Sequence, residues 1–290
     1  MQKPRVIACI VVRDGIVVQS IGFKRYLPVG SPEVAAENFN RWGADEILLQ
    51  DISATPENRV IECDLIERVA KKSFIPLTVA GGISSVEHIR MALNSGADKI
   101  AINSAAYEND QLIPEGSTIF GRQCIIASID VGKNEKGEFV VFSHSGTLAL
   151  SGTPDDLAKR FSDQGAGEIL VNTIHRDGAQ RGYDIELAQA VCSAVEIPVI
   201  ICGGAGHPAH FVDGLSKSDV SAVAAANIFH FTEHSVLVTK AFIERTGIEL
   251  RHDTYADYRG HQFDTAGRVS KVADDQLHEL LFQHYPKEII

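Results

Sequence analysis

The sequence predicts a single (βα)8 barrel, also called a TIM barrel, built from two repeated (βα)4 halves. The first observation is an internal repeat, because residues 39–82 recur as residues 161–204 in one register and without an insertion. A shorter match aligns residues 6–12 with residues 125–131, so each half opens with an equivalent segment. The second observation is that eight short β-branched runs alternate with longer amphipathic segments. A fourfold βα pattern that occurs twice favours a closed barrel, because an open sheet has no reason to be duplicated at this spacing.

The predicted strands are short and rich in Val and Ile, as buried parallel strands are. We place them at about residues 5–12, 46–51, 76–80, 99–103, 124–131, 168–173, 198–202 and 221–226. Helices begin between them at recognisable signals. Ser31 and Thr153 each precede a Pro and an acidic residue, and residues 84–87 fit a capping box. The barrel is assigned to residues 1–249.

Three segments lie outside the βα units. Residues 13–30 are predicted to form a long loop, and residues 137–142, within the insertion at 132–152, a hairpin arm. Both insertions follow the carboxyl end of a strand, where the active-site loops of such barrels lie. Residues 250–290 form a C-terminal extension, which we expect to pack on the barrel or to contact another subunit, with one more helix at about 274–285.

The composition describes an acidic protein with a large core. The 290 residues carry a net charge of −11, 44% of them are apolar, and the cations are not clustered. Sequence-independent nucleic-acid binding needs clustered cations, so this class of function is excluded. The apolar runs are too short to span a bilayer and no signal peptide is recognised, so we expect a cytoplasmic protein. Five scattered Cys lack metal-ligand spacing, and we predict no metal site and no cofactor.

Two glycine pairs predict phosphate binding. Residues 81–82 end the third strand and residues 203–204 end the seventh, and each pair is followed one unit later by a turn of small residues, at 103–105 and 225–227. Glycine lets the backbone approach an anion closely, and turns of this kind present free N–H groups. Two such sites on opposite sides of one mouth suit an elongated ligand with a phosphoryl group at each end. The alternative is that the glycines only make tight turns.

Further motifs carry a family resemblance. They are residues 43–46 (GADE), 75–83 (IPLTVAGGI), 96–99 (GADK), 102–106 (INSAA), 167–170 (GEIL), 176–178 (RDG), 182–184 (GYD) and 203–206 (GGAG). From Arg5 to Phe242 the chain resembles the cyclase subunit of imidazole glycerol phosphate synthase, a histidine-pathway barrel that pairs with a glutamine amidotransferase. The resemblance implies phosphate contacts at Gly82, Asn103, Ser104, Asp177, Gly178, Gly204, Ala226 and Asn227.

Four charged residues lie at the starts of predicted strands: Arg5, Glu46, Lys99 and Glu168. Strand alternation points all four into the barrel, where two cations and two anions would form a salt-bridged plug at the amino end. The resemblance implies that this plug gates ammonia from a glutaminase docked at that face, with Asp98 at the docking surface. The alternative is an ion-pair ring that only stabilises the barrel.

The mouth departs from the family pattern. The resemblance implies two carboxylates that move protons, one at the end of the first strand and one at the end of the fifth. Asp130 keeps the second position, but Val11 occupies the first. Gln50 and Asn172 are repeat partners that should point into the upper barrel, where they would bond each other, water or a different substrate. His175 ends the sixth strand and is the imidazole that we place at the mouth, as an acid–base group or as a solvated loop residue.

Three functions follow as hypotheses. The first is a barrel that delivers ammonia to amidination of a surface-polysaccharide amino sugar by a separate sugar-amidating enzyme, because the chain resembles cyclase paralogues in which the first aspartate is replaced by an aliphatic residue. The second is a genuine imidazole glycerol phosphate synthase cyclase subunit. The third is a non-catalytic scaffold that activates a glutaminase allosterically. The first two imply a phosphorylated small-molecule substrate, and all three imply a glutaminase partner.

Overall fold

The structure is a computed structural model that describes residues 3–230, 232, 234–252, 254 and 256–270. The strands within these residues are β1 (Arg5–Arg13), β2 (Ile16–Ile21), β3 (Arg25–Gly30), β4 (Glu46–Asp51), β5 (Leu77–Ala80), β6 (Lys99–Ile102), β7 (Ile125–Lys133), β8 (Phe139–Ser143), β9 (Leu148–Ala149), β10 (Glu168–Thr173), β11 (Val199–Cys202) and β12 (Ala222–Ala225). The helices are α1 (Pro32–Arg41), α2 (Cys63–Ala70), α3 (Val86–Asn94), α4 (Ser104–Glu108), α5 (Leu112–Phe120), α6 (Pro154–Asp163), α7 (Ile185–Ala194), α8 (Pro208–Lys217) and α9 (Ser235–Glu244).

Eight of these strands close into a parallel barrel. Their order is β1, β4, β5, β6, β7, β10, β11 and β12, and β12 pairs back to β1. Each predicted strand agrees with an observed one to within two residues at either end. The (βα)8 barrel predicted from the repeat is therefore confirmed.

Helix starts follow the predicted signals at two sites and depart from them at a third. Ser31 and Thr153 are the N-cap residues of α1 and α6, and the Thr153 hydroxyl accepts a first-turn N–H of α6 at 3.3 Å. The predicted capping box at α3 is wrong by one residue, because Ser85 is the N-cap and accepts the N–H of His88. Ser84 lies outside the helix and contacts the His88 imidazole instead.

The insertions after β1 and β7 are both antiparallel arms. Residues 13–30 are not the predicted long loop, because β2 pairs with β1 and β3 pairs with β2 over most of this segment. The predicted arm after β7 is present, with β8 on β7 and β9 on β8. Both arms rise from the carboxyl ends of their strands and stand beside the barrel mouth.

The barrel has an outer core and an inner bore. Outward-facing residues of each strand, such as Val6, Ala8 and Ile10 of β1, pack against the helices. Inward-facing residues form a separate apolar layer whose buried members are Ile7, Cys9, Leu48, Ala101, Ile126, Leu170, Ile200, Ala222 and Ala224. This layer lies between the charged residues at the amino end and the mouth at the carboxyl end.

The segment that follows α9 packs back against this helix. Lys240 is buried, lies 2.8 Å from Asp45 and donates to the carbonyl of Arg251 at 3.0 Å. Tyr258 contacts His234 of the α9 N-cap at 2.7 Å. The helix expected at about 274–285 lies outside the described residues.

No helix in the described part of the chain is long and apolar enough to cross a membrane.

Candidate functional site

A closed ring of ionised side chains fills the amino end of the bore. Arg5 lies between the two glutamates, with Nη1 2.6 Å from Glu46 Oε1 and Nη2 2.7 Å from Glu168 Oε2. Lys99 closes the ring from the other side, at 3.2 Å from Glu46 and 2.6 Å from Glu168. The register of four strands brings these residues together, because each is the inward-facing residue at its strand's start.

Attraction between the opposite charges of the ring offsets the cost of burying them. Burial disfavours the charged guanidinium, but hydrogen bonds and charges from the two glutamates outweigh it and raise the pKa of Arg5 above its ordinary value. Burial likewise opposes ionisation of Glu168, yet Arg5 and Lys99 lower the pKa of this carboxyl. Beside the ring, exposed Asp98 accepts the N–H of Leu77 at 2.8 Å and so ties the start of β5 to that of β6.

A cavity of about 650 Å³ opens at the carboxyl end of the barrel. This volume is within the usual range for a small-molecule site. All eight residues predicted to contact phosphate line it: Gly82, Asn103, Ser104, Asp177, Gly178, Gly204, Ala226 and Asn227. Val11, Asp130, Gln50 and Asn172 line it as well.

Free backbone donors line opposite sides of this cavity. The N–H groups of Gly82, Gly178, Gly204 and Ala226 donate to no acceptor among the described residues. Gly82 and Gly204 have φ angles of 64° and 107°, and an added Cβ would lie 1.8 Å from the Arg59 carbonyl oxygen or 2.2 Å from that of Gly182. Glycine is therefore required at both turns, and the resulting concavities suit anions.

Two of the predicted phosphate residues hold the arm after β1 over the mouth. Asn227 exchanges two hydrogen bonds with the backbone of Ser20, at 3.2 and 2.7 Å. Asp177 accepts the Ser20 hydroxyl at 2.6 Å and the N–H of Phe23 at 3.3 Å. On the opposite side, Asn103 donates to the carbonyl of Ser128 at 3.1 Å. These side chains position the mouth, while the backbone N–H groups of the glycine turns remain free to donate.

The two halves of the barrel differ at their acid–base positions. On β7 and β10, Asp130 is the register partner of Asn172, whose Nδ2 donates to the carboxylate at 3.3 Å. On β1 and β4, the equivalent register pair is Val11 and Gln50. Asn172 therefore pairs with the carboxylate, and no hydrogen bond joins it to Gln50 among the described residues. Binding of water or of a substrate by these two amides stays a prediction.

Asp130 is the buried carboxyl group of the mouth. It is 7% exposed, and burial in the bore raises its pKa from 3.8 to about 7. The charge of Asp177 adds to this rise, and the bond from Asn172 partly opposes it. A carboxyl group with a pKa near neutrality can both accept and donate a proton at the pH of the cell.

His175 does not lie where the sequence predicts. It belongs to the 3-10 turn Ile174–Arg176 after β10, lies 3.5 Å from Asp184 and does not line the cavity. Because the 3-10 turn ends the strand alternation, the side chain lies beside Asp184 instead of lining the cavity. The imidazoles that do line the cavity are His88 of α3 and His144 of the arm after β7, and sequence reasoning missed both.

Arg59 is a third lining residue that the sequence did not identify. Its guanidinium lies 2.6 Å from Asp51 at the end of β4 and 2.6 Å from Glu57, so its charge at the rim of the cavity is paired with two carboxylates. Among the described residues, no group of three or more His, Cys, Asp or Glu side chains could hold a metal ion.

Comparisons with known proteins agree with this arrangement. The family model described as histidine biosynthesis protein matches residues 5–235. Imidazole glycerol phosphate synthase subunit HisF of Methanopyrus kandleri (strain AV19) is 42% identical over 265 residues, which cover 85% of this chain and 97% of the relative. A Vibrio vulnificus (strain YJ016) protein, provisionally named imidazole glycerol phosphate synthase subunit hisF2, is 39% identical over 268 residues, which cover 92% of this chain and 98% of the relative. The chain therefore belongs to the histidine biosynthesis protein family, as a barrel of the HisF type.

Proposed function

We propose that this chain is the barrel subunit of a glutamine-dependent amidotransferase complex that no longer closes an imidazole ring. It receives ammonia at its amino face and binds a phosphorylated substrate at its mouth. The observation that carries this proposal is the unequal pair of acid–base positions. Asp130 has a carboxylate, an amide donor and a pKa near 7, whereas the equivalent Val11 can neither take nor give a proton.

The free backbone donors support a substrate with two phosphoryl groups. Gly82 belongs to the first half of the barrel and Gly204 to the second, and both line one cavity. Ala226 adds a free N–H group on the side of Gly204. An elongated bisphosphorylated metabolite would satisfy both sites together.

The bore supports passage of neutral ammonia from the amino face. The layer between the ring and the mouth is apolar, and Cys9, Ala101 and Ala224 are small members of it. An apolar passage excludes ammonium, since an unpaired ion loses its hydration there, but admits NH₃. Lys99 is the most exposed member of the ring, with 16% of its side chain accessible, so it is the residue that we expect to move when ammonia enters.

The amino face offers an anchor for a glutaminase. Phe74 lies in the loop before β5 and is 88% exposed. The loop is held in place, because the Phe74 N–H donates to Asn40 at 2.9 Å and the Ser73 hydroxyl donates to the Ile75 carbonyl at 3.0 Å. A large apolar side chain on a fixed loop loses little entropy on binding, as interface hot spots require.

For the biological role, we propose ammonia supply to amidination of a surface-polysaccharide amino sugar by a separate sugar-amidating enzyme. The support is Val11 at the first acid–base position, as the resemblance to such paralogues implies, and the 39% identity with the Vibrio vulnificus protein named hisF2.

The test is a cyclase assay with ammonium salts in place of glutamine. The purified barrel is mixed with the ribonucleotide intermediate of histidine biosynthesis, and the imidazole product is separated by chromatography. The HisF subunit of Methanopyrus kandleri is the positive control. Because loss of one acid–base group typically costs 10²–10⁴-fold, we expect less than about 1% of the control rate. A rate within tenfold of the control would show that the proposal is wrong.

Ring closure itself is the second candidate function. The 42% identity with a HisF subunit over 97% of that relative favours it. If it is correct, one carboxylate at Asp130 must suffice, and the same assay gives turnover comparable with the control.

A further inference from the structure

Two histidines occupy equivalent positions in the two halves of the barrel. His88 on α3 and His210 on α8 are 122 residues apart, the spacing of the internal repeat. Each accepts a backbone N–H from the residue four positions earlier through Nδ1. The donor is Ser84 for His88, at 3.3 Å, and Gly206 for His210, at 3.1 Å. Ser84 and Gly206 are again 122 residues apart, so the bond itself is duplicated.

The bond joins each helix to the turn that follows a glycine pair. Ser84 lies two residues after Gly82, and Gly206 lies two residues after Gly204. The N-cap positions also correspond, since Ser85 of α3 and His207 of α8 each use a side chain to accept a helix N–H. Each glycine turn is therefore held to its helix by a side-chain cap and by an imidazole.

The backbone donor determines the tautomer of both rings. A nitrogen that accepts an N–H bond carries no proton, so a neutral ring accepting at Nδ1 has its proton on Nε2. His88 lines the cavity together with Gly82 and Ser104, and its Nε2 has no hydrogen-bond partner among the described residues. His210 does not line the cavity and lies beside Gly182, where an added Cβ would be 3.3 Å from the ring. The Gly182 N–H donates to the Gly204 carbonyl at 2.9 Å.

We infer that His88 and His210 are positioning residues for two phosphoryl sites, one at the Gly82 turn and one at the Gly204 turn. His88 also donates an Nε2 hydrogen bond to the phosphoryl group at the Gly82 site. Both rings hold a glycine turn in the conformation that leaves its N–H groups free. The inference rests on the proposed phosphate-binding function. It adds a difference between the two sites, because His88 donates a side-chain hydrogen bond at the Gly82 site and His210 donates none at the Gly204 site.

Imidazole tautomers can be read directly from long-range ¹H–¹⁵N correlation spectra of the labelled full-length chain. We expect both rings to carry a proton on Nε2 and none on Nδ1, as acceptance of the backbone N–H at Nδ1 requires. Inorganic phosphate, added as the probe, should shift Nε2 of His88 and the amides of Gly82 and Gly204, while Nε2 of His210 stays in place. His230, which lies outside the cavity, is the internal control.

Substitutions separate the two roles of His88. His88→Ala removes both nitrogens and should weaken phosphate binding about tenfold, the loss expected for a charge-assisted hydrogen bond. His88→Asn keeps an acceptor at the Nδ1 position and should weaken binding less than Ala does. The His210→Asn variant should bind phosphate as tightly as the unmodified chain, and the His210→Ala variant should bind it less tightly.

Several outcomes would overturn the inference. A proton on Nδ1 of either ring in the free protein would contradict the duplicated bond. Phosphate shifts at Gly82 and Gly204 with unchanged affinity in His88→Ala would refute the role of His88 while the phosphate sites stand. Absence of any shift in the cavity would refute the phosphate sites of the proposed function as well.

Discussion

Replacing Asp130 by Asn is predicted to stabilise the protein, and more so as pH rises. The folded pKa of about 7 lies above the ordinary value of 3.8, because burial disfavours the carboxylate. Between these two values the folded state holds a proton that the unfolded state has released, so the free energy of unfolding falls as pH increases. Asparagine has a similar shape, carries no charge at any pH and can still accept the hydrogen bond from Asn172.

The size of the effect follows from the pKa difference. About 3 pH units at about 1.4 kcal/mol each amount to about 4 kcal/mol, fully present above pH 7. At pH 5 about 1.2 units of the difference have accumulated, so the variant should gain about 1.7 kcal/mol there and about 4 kcal/mol at pH 8. The assay is urea unfolding at pH 5, 6, 7 and 8, with midpoints and slopes fitted at each pH.

A matched control replaces an exposed carboxylate. Asp64→Asn alters a side chain of α2 that is 78% exposed, and such surface changes usually stay within about 0.5 kcal/mol. If Asp130→Asn gains no stability at pH 8, or gains the same amount at pH 5 and at pH 8, the buried carboxyl group does not have the raised pKa on which its role depends.

Three further predictions concern the turns, the ring and the amino face. Gly204→Ala should cost more than about 2 kcal/mol and abolish phosphate binding, whereas Gly137→Ala, with a similar positive φ but open space at Cβ, should cost about 1 kcal/mol, as unfolding and phosphate titration will show. Lys99→Ala should release ammonia to solvent while glutamine is still hydrolysed, and unchanged coupling would favour an allosteric scaffold instead. Phe74→Asp should weaken glutaminase binding at least tenfold, as measured by calorimetry. The control Val34→Asp alters an exposed apolar residue of α1 and should leave this binding unchanged.

The barrel was predictable because its strands are buried on both sides. Such strands are continuous apolar runs with sharp ends, and the duplication shows each run twice. The arm at residues 13–30 was not predictable in the same way. Most of β3 is exposed, so its side chains do not alternate in polarity. Contacts from Asp177 and Asn227, more than 150 residues away in the chain, hold the arm in place.

The site was predictable where strand alternation determines it. Glu46, Glu168 and Asp130 point inward because they occupy alternate strand positions, and the sequence is sufficient to see this. His175 was misplaced because a 3-10 turn begins immediately before it and strand alternation no longer applies. His88 was missed because it lies on a helix, where the repeat to His210 becomes meaningful only once the hydrogen bonds are known.

The central claim is that the barrel lacks ring closure because one carboxylate is missing. The most direct measurement is the cyclase rate of Val11→Asp with ammonium salts, beside Val11→Asn, which has a similar shape but no acid–base capacity. We predict that Val11→Asp forms the imidazole product at least 100-fold faster than the unmodified chain, while Val11→Asn remains as slow. Equal rates in all three proteins would contradict the claim.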